Sequence, residues 1–122
     1  MKYLVDSNII IYHLNKNPIA TNFLSKNYKE IAISQITFIE VLSFNFTEEE
    51  EQNIRELLSN FDIIDVNKDI SNQAIKNRKL KKIKIPDNII ASTSVVNGLI
   101  LVTRNIKDFK VLDIEVYNPF DE

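Results

Sequence analysis

Four short apolar runs, at residues 2–5, 30–34, 62–66 and 99–102, recur along the chain, and each gives way to residues able to start a helix. A brief run of this kind suits a strand buried on both faces. Strands alternating with helical patterns imply an α/β domain, with a mostly parallel central sheet of four to five strands flanked by helices. After the first run, any of Asp6, Ser7 or Asn8 can cap a helix holding Ile9, Ile10, Ile11, Tyr12 and Leu14. Pro18 suits the first turn of a second helix, with Ile19, Phe23 and Leu24 on one face. Ser34 caps a helix carrying Ile36, Ile39, Glu40 and Leu42, with Ile36, Ile39 and Ser43 on one face. Thr47 followed by four glutamates opens another, continued by Ile54, Leu57, Leu58 and Phe61.

Asn67 or Asp69 caps a helix through Ile70, Ala74 and Ile75 into the basic stretch 79–84. Pro86 opens a helix over 87–97, anchored by Ile89, Ile90, Val95 and Val96, and Gly98 ends it as a C′ glycine. Residues 103–109 form a loop or short helix, and 114–117 an edge strand. With no linker, repeat or low-complexity segment, 122 residues suit one domain spanning 1–122.

Several chemistries are excluded outright. The chain has no Cys, so disulfides, zinc thiolates, iron–sulfur clusters and thiol nucleophiles are absent, which fits a cytoplasmic protein. His13 is the only histidine, so a metal within one chain must be held by oxygen, which favours Mg²⁺ or Mn²⁺ over Zn²⁺. Gly98 is the only glycine, which removes dinucleotide loops, P-loops and nucleophile elbows. A net charge of −2 argues against a globally basic nucleic-acid wrapper but permits a local basic strip. No apolar run approaches the roughly 18–20 residues of a membrane span. Asp6 and Asn8 interrupt the first apolar stretch, so no secretory leader is expected.

The informative feature is where isolated carboxylates break apolar surroundings. Asp6 ends the first strand, Glu40 lies within Ile36–Leu42, Asp87 follows Pro86, and Asp108 follows the strongest strand. In an open parallel sheet, ligands bind beyond the carboxyl ends of the strands, the edge to which Asp6 and the 103–108 loop belong. Carboxylates gathered there repel one another and rise in pKa unless a cation sits among them. A hard divalent ion among them suits phosphodiester hydrolysis. Each acid also has an ordinary role: Asp6 as an N-cap, Asp87 as a first-turn acid, Glu40 pointing to solvent, Asp108 as a loop acid.

Four segments taken in order resemble the PIN domain family, in particular its small VapC-like toxins. They are Tyr3-Leu4-Val5-Asp6-Ser7-Asn8-Ile9-Ile10, Ser34-Gln35-Ile36-Thr37-Phe38-Ile39-Glu40, Pro86-Asp87-Asn88-Ile89-Ile90-Ala91, and Leu101-Val102-Thr103-Arg104-Asn105-Ile106-Lys107-Asp108-Phe109. The resemblance implies a Mg²⁺-dependent endoribonuclease, with Mn²⁺ able to substitute, that leaves a 5′-phosphate and a 3′-hydroxyl. Asp6 and Asp87 would hold the metal, and Glu40 would orient or deprotonate the attacking water. Thr103 would line the site. Many PIN domains place an Asp where this chain has Asn105, so Asp108 is carried as the fourth acid and Asn105 as a neutral lining residue. Asn8 fits the family's opening motif and equally suits a helix cap.

Positive charge near the acids would meet RNA phosphates: Arg78, Lys79, Lys81, Lys82 and Lys84 before Asp87, and Arg104 and Lys107 around Asn105. A solvated, lysine-rich helix end accounts equally well for the first group. The resemblance further implies an antitoxin protein partner and a homodimer. Ile10, Leu14, Phe44 and Phe46 could receive the partner, although core packing explains them as well. Two other readings remain open: a catalytically silent protein- or RNA-binding module, and a housekeeping RNA-processing nuclease.

Overall fold

A computed structural model describes residues 1–121, one short of the expected domain end. The elements are β1 (Tyr3–Val5), α1 (Ser7–Leu14), α2 (Pro18–Asn27), a 3₁₀ turn (Tyr28–Glu30), β2 (Ile31–Ser34), α3 (Gln35–Leu42), α4 (Glu48–Leu58), β3 (Asp62–Ile64), α5 (Lys68–Leu80), α6 (Ile85–Asn97), β4 (Ile100–Val102), α7 (Ile106–Phe109) and β5 (Val116–Tyr117). The sheet has the order β3-β2-β1-β4-β5, and every pairing is parallel.

Alternation along the strands divides the core in two. Val5, Ile31, Ile33 and Val102 face one layer with Ile9, Ile10, Phe23 and Leu24. Leu4, Ala32 and Leu101 face the other with Ile90, Ala91, Phe109 and Leu112. Helices on both faces explain why the central strands carry no polar alternation. The order reverses at β1: β2 lies on one side of it and β4 on the other, which opens a crevice at the carboxyl ends of β1 and β4.

Local sequence sets most helix starts. Asp6 caps α1, its Oδ1 accepting the Ser7 N–H at 2.7 Å. Asn17 accepts from Ile19 and Ala20, with Pro18 opening α2. Ser34 caps α3, and Thr47 with Glu50 forms a reciprocal capping box on α4. Asn67, not Asp69, caps α5. Gly98 ends α6 at φ +63°, the left-handed conformation that closes a helix.

Several expected boundaries move. β3 ends at Ile64 instead of residue 66, because this edge strand has one neighbour and Asp65 and Val66 are exposed. α5 stops at Leu80 instead of running into residue 84: Lys81 is extended, and the chain turns to bury Ile83. The 3₁₀ turn was not anticipated. Ile39, expected beside Ile36, is 52% exposed, and α3 buries Thr37 and Val41 instead. Val95 and Val96 are exposed, and α6 anchors through Ile90, Ala91 and a run of small polar residues, Ser92–Ser94.

Ser92, the first of that run, belongs to a network joining α5 to α6. The Asn77 amide donates to Asn88 Oδ1 at 3.0 Å and to Ser92 Oγ at 3.1 Å, and it accepts from Gln73. The Asn88 amide donates to the Ala74 carbonyl at 2.8 Å. The first turn of α6, and Asp87 with it, is thereby fixed to α5. Among the described residues no buried side-chain polar atom lacks a partner.

Replacing Gly98 by Ala places a Cβ in open space yet keeps φ positive, so the cost is conformational. Urea denaturation is expected to show a loss of about 1–2 kcal/mol.

Candidate active site

Parallel pairing of Val5 with Val102 carries the residues that follow them, Asp6 and Thr103, to neighbouring positions at the crevice. The Asp6 N–H donates to the Val102 carbonyl at 2.9 Å. The Asp6 carboxylate, 5% exposed, is held on both oxygens: Ser7 N–H reaches Oδ1, and the Thr103 hydroxyl donates to Oδ2 at 2.8 Å. Thr103 Oγ1 in turn accepts from the Asn8 amide at 3.1 Å and from the Asn105 N–H at 3.0 Å. One donor and two acceptor positions are all that a hydroxyl offers, so Thr103 is saturated. Asn8 Oδ1 accepts the Arg104 N–H at 3.4 Å.

Glu40 joins through α1. The Ser7 hydroxyl donates to Glu40 Oε1 at 2.5 Å and lies 3.2 Å from the Thr37 hydroxyl. Asp87 is half-buried at the start of α6, and Asp108 is exposed in α7. Burial, reinforced by the negative charges of Asp87 and Glu40, pushes the Asp6 carboxyl up to about 6 despite its hydrogen bonds from Thr103 and Ser7. Burial raises Asp87 too, and Asp108 and Glu40 push the same way, while Lys84 opposes them. The charges of Asp87 and Glu40 thus reach Asp6, and those of Glu40 and Asp108 reach Asp87, although the four come from separate stretches of chain.

Of the remaining named residues, Asn8, Thr103 and Asn105 lie in the Asp6 hydrogen-bond chain. Arg104 sits over the rings of Phe120 and Tyr12, and Lys107 is exposed on α7. Arg78 donates to the Ile83 carbonyl at 2.8 Å, bracing the α5–α6 connection. Lys82 is exposed on that connection. Ser7, read from sequence as a cap candidate, bonds Glu40 and lies beside Thr37, and Lys84, in the basic stretch, opposes the rise of Asp87. Sequence reasoning passed over Thr37 and the Asn77–Asn88–Ser92 network, although Asn88 and Ser92, four residues apart in a helix, share one face and were legible as a polar stripe. Of the apolar residues considered for a partner, Ile10 is fully buried, Leu14 and Phe46 pack against the core, and Phe44 is exposed.

The donor set suits a hard cation. All the acidic donors are oxygen, and a buried carboxylate beside like charges gains from a neutralising ion. Among the described residues no group of three or more acids or histidines is placed to hold a metal ion. A larger cavity, about 790 Å³, is lined by Tyr3, Phe23, Val116, Tyr117 and Phe120 among others, and it holds none of the four acids.

The PIN domain family model matches residues 3–115, and the chain belongs to that family. It is 33% identical to Ribonuclease VapC2 of Rickettsia felis, an alignment that covers all of both chains. A toxin–antitoxin complex from Klebsiella pneumoniae contains a chain 36% identical to this one, with a TM-score of 0.87 over 97% of this chain and 98% of that one. VapBC2 of Rickettsia felis, solved bound to a DNA fragment from its promoter, matches at 31% identity and TM-score 0.83, over 97% and 98% of the two chains.

Two outcomes follow from the Asp6 environment. Thr103→Val takes the acceptor from the Asn105 N–H, leaves the Asn8 amide only its longer bond to Asp6 Oδ2 at 3.5 Å, and removes a bond to Asp6. It is expected to cost about 1–3 kcal/mol in chemical denaturation. Second, the metal-free fold binds the Asp6 proton more tightly than the unfolded chain does, at about 6 against 3.8. Its contribution to stability is therefore full below the lower value and lost as pH rises through the upper one. Denaturation of metal-free protein from about pH 4 to about pH 7 is expected to show this decline, and Asp6→Asn to flatten it. An equal slope in both proteins contradicts the assignment.

Proposed function

We propose that this chain is a Mg²⁺-dependent endoribonuclease, the toxin component of a toxin–antitoxin pair, acting in the cytoplasm. The observation that carries the reading is the buried Asp6 carboxylate, held by Thr103 and Ser7 at the β1–β4 crevice, with Glu40 joined to it through Ser7 and the charge of Asp87 raising its pKa. Full-length similarity to a ribonuclease supports it. Asp6 and Asp87 would hold the cation, directly or through water, and Mn²⁺ would serve in its place. When bound, a divalent cation makes water nucleophilic at neutral pH and neutralises charge building on the phosphoryl oxygens.

The chain's own residues do the rest. Thr103 and Ser7 fix both oxygens of Asp6, so one geometry is presented. Glu40, held by the Ser7 hydroxyl, orients the attacking water and takes its proton. Asp108 adds negative charge beside Asp87, while Asn105 lines the site without charge. Arg104 and Lys107 bind phosphates next to the acids, with Lys82 and Arg78 farther along the basic stretch. Both complexes similar to this chain pair a toxin with an antitoxin, and we assign this chain a cognate antitoxin partner. The exposed Ile39 and Phe44, on either side of Glu40 in sequence, offer that partner apolar contact beside the site.

Asp6→Asn and Asp87→Asn are expected to abolish Mg²⁺-dependent cleavage of total RNA. Both should stay folded and unfold in one cooperative transition, because Asn keeps the size of the Asp it replaces. Glu40→Gln is expected to slow single-turnover cleavage by about 10²–10⁴. Chelation of divalent ions is expected to stop cleavage, and added Mg²⁺ to restore it. Full cleavage by both Asp variants removes the assignment.

A further inference from the structure

The parallel register of β4 and β5 has a geometric result beyond the acids. Leu101 pairs with Val116 and Val102 with Tyr117, and the Thr103 N–H donates to the Tyr117 carbonyl at 3.0 Å. The loop leaving β4 and the segment leaving β5 therefore emerge side by side at the carboxyl edge. The Asn118 side chain accepts the Phe120 N–H at 2.9 Å, and its carbonyl accepts the Asp121 N–H at 3.2 Å, so the segment turns back over the 104–110 loop. Between them lies a cleft of about 400 Å³, lined by Arg104, Lys107, Asp108, Lys110, Asn118 and Asp121 among others.

Arg104 is placed with unusual care for an exposed side chain. Its guanidinium carbon lies 4.4 Å from the centre of the Phe120 ring and 5.1 Å from that of Tyr12, and the two rings are 5.1 Å apart. Its backbone N–H is tied through Asn8 and Thr103 to the Asp6 carboxylate. Among the described residues, Arg104, Lys107 and Lys110 have no carboxylate within ion-pair distance. A guanidinium resting on ring faces keeps its in-plane N–H donors for an anion, and the planar fork matches phosphate oxygens. Holding it in place beforehand removes part of the ordering cost of binding.

We propose that the cleft between α7 and the C-terminal segment is a subsite for the RNA phosphate next to the scissile one. Arg104 is its binding group, and Phe120 and Tyr12 are positioning residues. The proposal rests on the ribonuclease reading, because the acids define where the scissile phosphate lies. Arg104 and Asn105 lead straight into α7, which carries Asp108, so a strand engaged at the acids continues directly into the cleft. Lys107 and Lys110 extend the positive lining. An acidic segment of a protein partner is the other occupant this charge could take, and the test separates the two.

The test is equilibrium binding of a fluorescein-labelled single-stranded RNA to the full chain, read by anisotropy without divalent cation over a range of salt. It reads the subsite whether or not RNA is cut, and cleavage by the parent protein judges the ribonuclease reading separately. Arg104→Gln is expected to weaken binding and to lower the slope of log affinity against log salt by about one phosphate contact. Phe120→Leu keeps apolar bulk and every charge but loses the ring face. It is expected to weaken binding several-fold and, in cleavage assays, to raise KM with little change in kcat. A parent-like affinity for Phe120→Leu, or a parent-like salt slope for Arg104→Gln, overturns the proposal. So does RNA binding left intact while binding of an acidic protein partner is lost, an outcome that gives the cleft to that partner.

Discussion

The hydrogen bond from Thr103 to Asp6 joins the two strands that define the crevice, and the rest of the site is arranged from it. It depends on the β1–β4 pairing, because only that register carries residues 97 positions apart to within 2.8 Å. Thr103 has no spare hydrogen-bonding capacity, so the rotamer of its hydroxyl fixes Asn8, the start of the 105 loop and the buried face of Asp6 together. Through Asn8 the same chain of bonds reaches the backbone of Arg104. A small displacement of β4 against β1 would therefore disturb the acid and the phosphate-binding group together.

This arrangement accepts instability where chemistry is done and recovers it elsewhere. A buried carboxylate with two like charges nearby is a poor choice for stability, as its raised affinity for a proton shows. The surrounding structure is correspondingly well tied. Capped helices, a two-sided apolar core and the Asn77–Asn88–Ser92 network hold the first turns of α1, α3 and α6 in place. The network has the clearest effect on function, because Asn88 follows Asp87 and any loosening between α5 and α6 would move that acid. Asp6 itself combines two duties, since its Oδ1 caps α1 while the same carboxylate faces the crevice.

Where sequence reasoning succeeded, the signal was local. Buried strands, Pro18, the Thr47–Glu50 capping box and the Gly98 terminus each depend on a few adjacent residues, and each was legible. Where it erred, a distant contact had decided the matter. Ile39 is as apolar as Ile36, yet α3 is oriented by Thr37 and Val41 against its neighbours. The basic stretch after Leu80 has helical composition, but burial of Ile83 and the Arg78 bond to its carbonyl favour a turn. Val95 and Val96 suit a core by type and lie outside it because small polar residues take the inner face of α6.

The sequence alone determined the class of fold, the separation of acids along the chain and the restriction of any metal site to oxygen ligands, because these follow from residue identity and short-range pattern. Tertiary structure alone decided which atoms meet. The saturation of Thr103, the tie from Ser7 to Glu40, the rise of Asp6 to about 6 and the seat of Arg104 on two rings arise between residues far apart in the chain. Hydrogen bonding, burial and electrostatic repulsion depend on distance in space, and the register of five parallel strands sets those distances here.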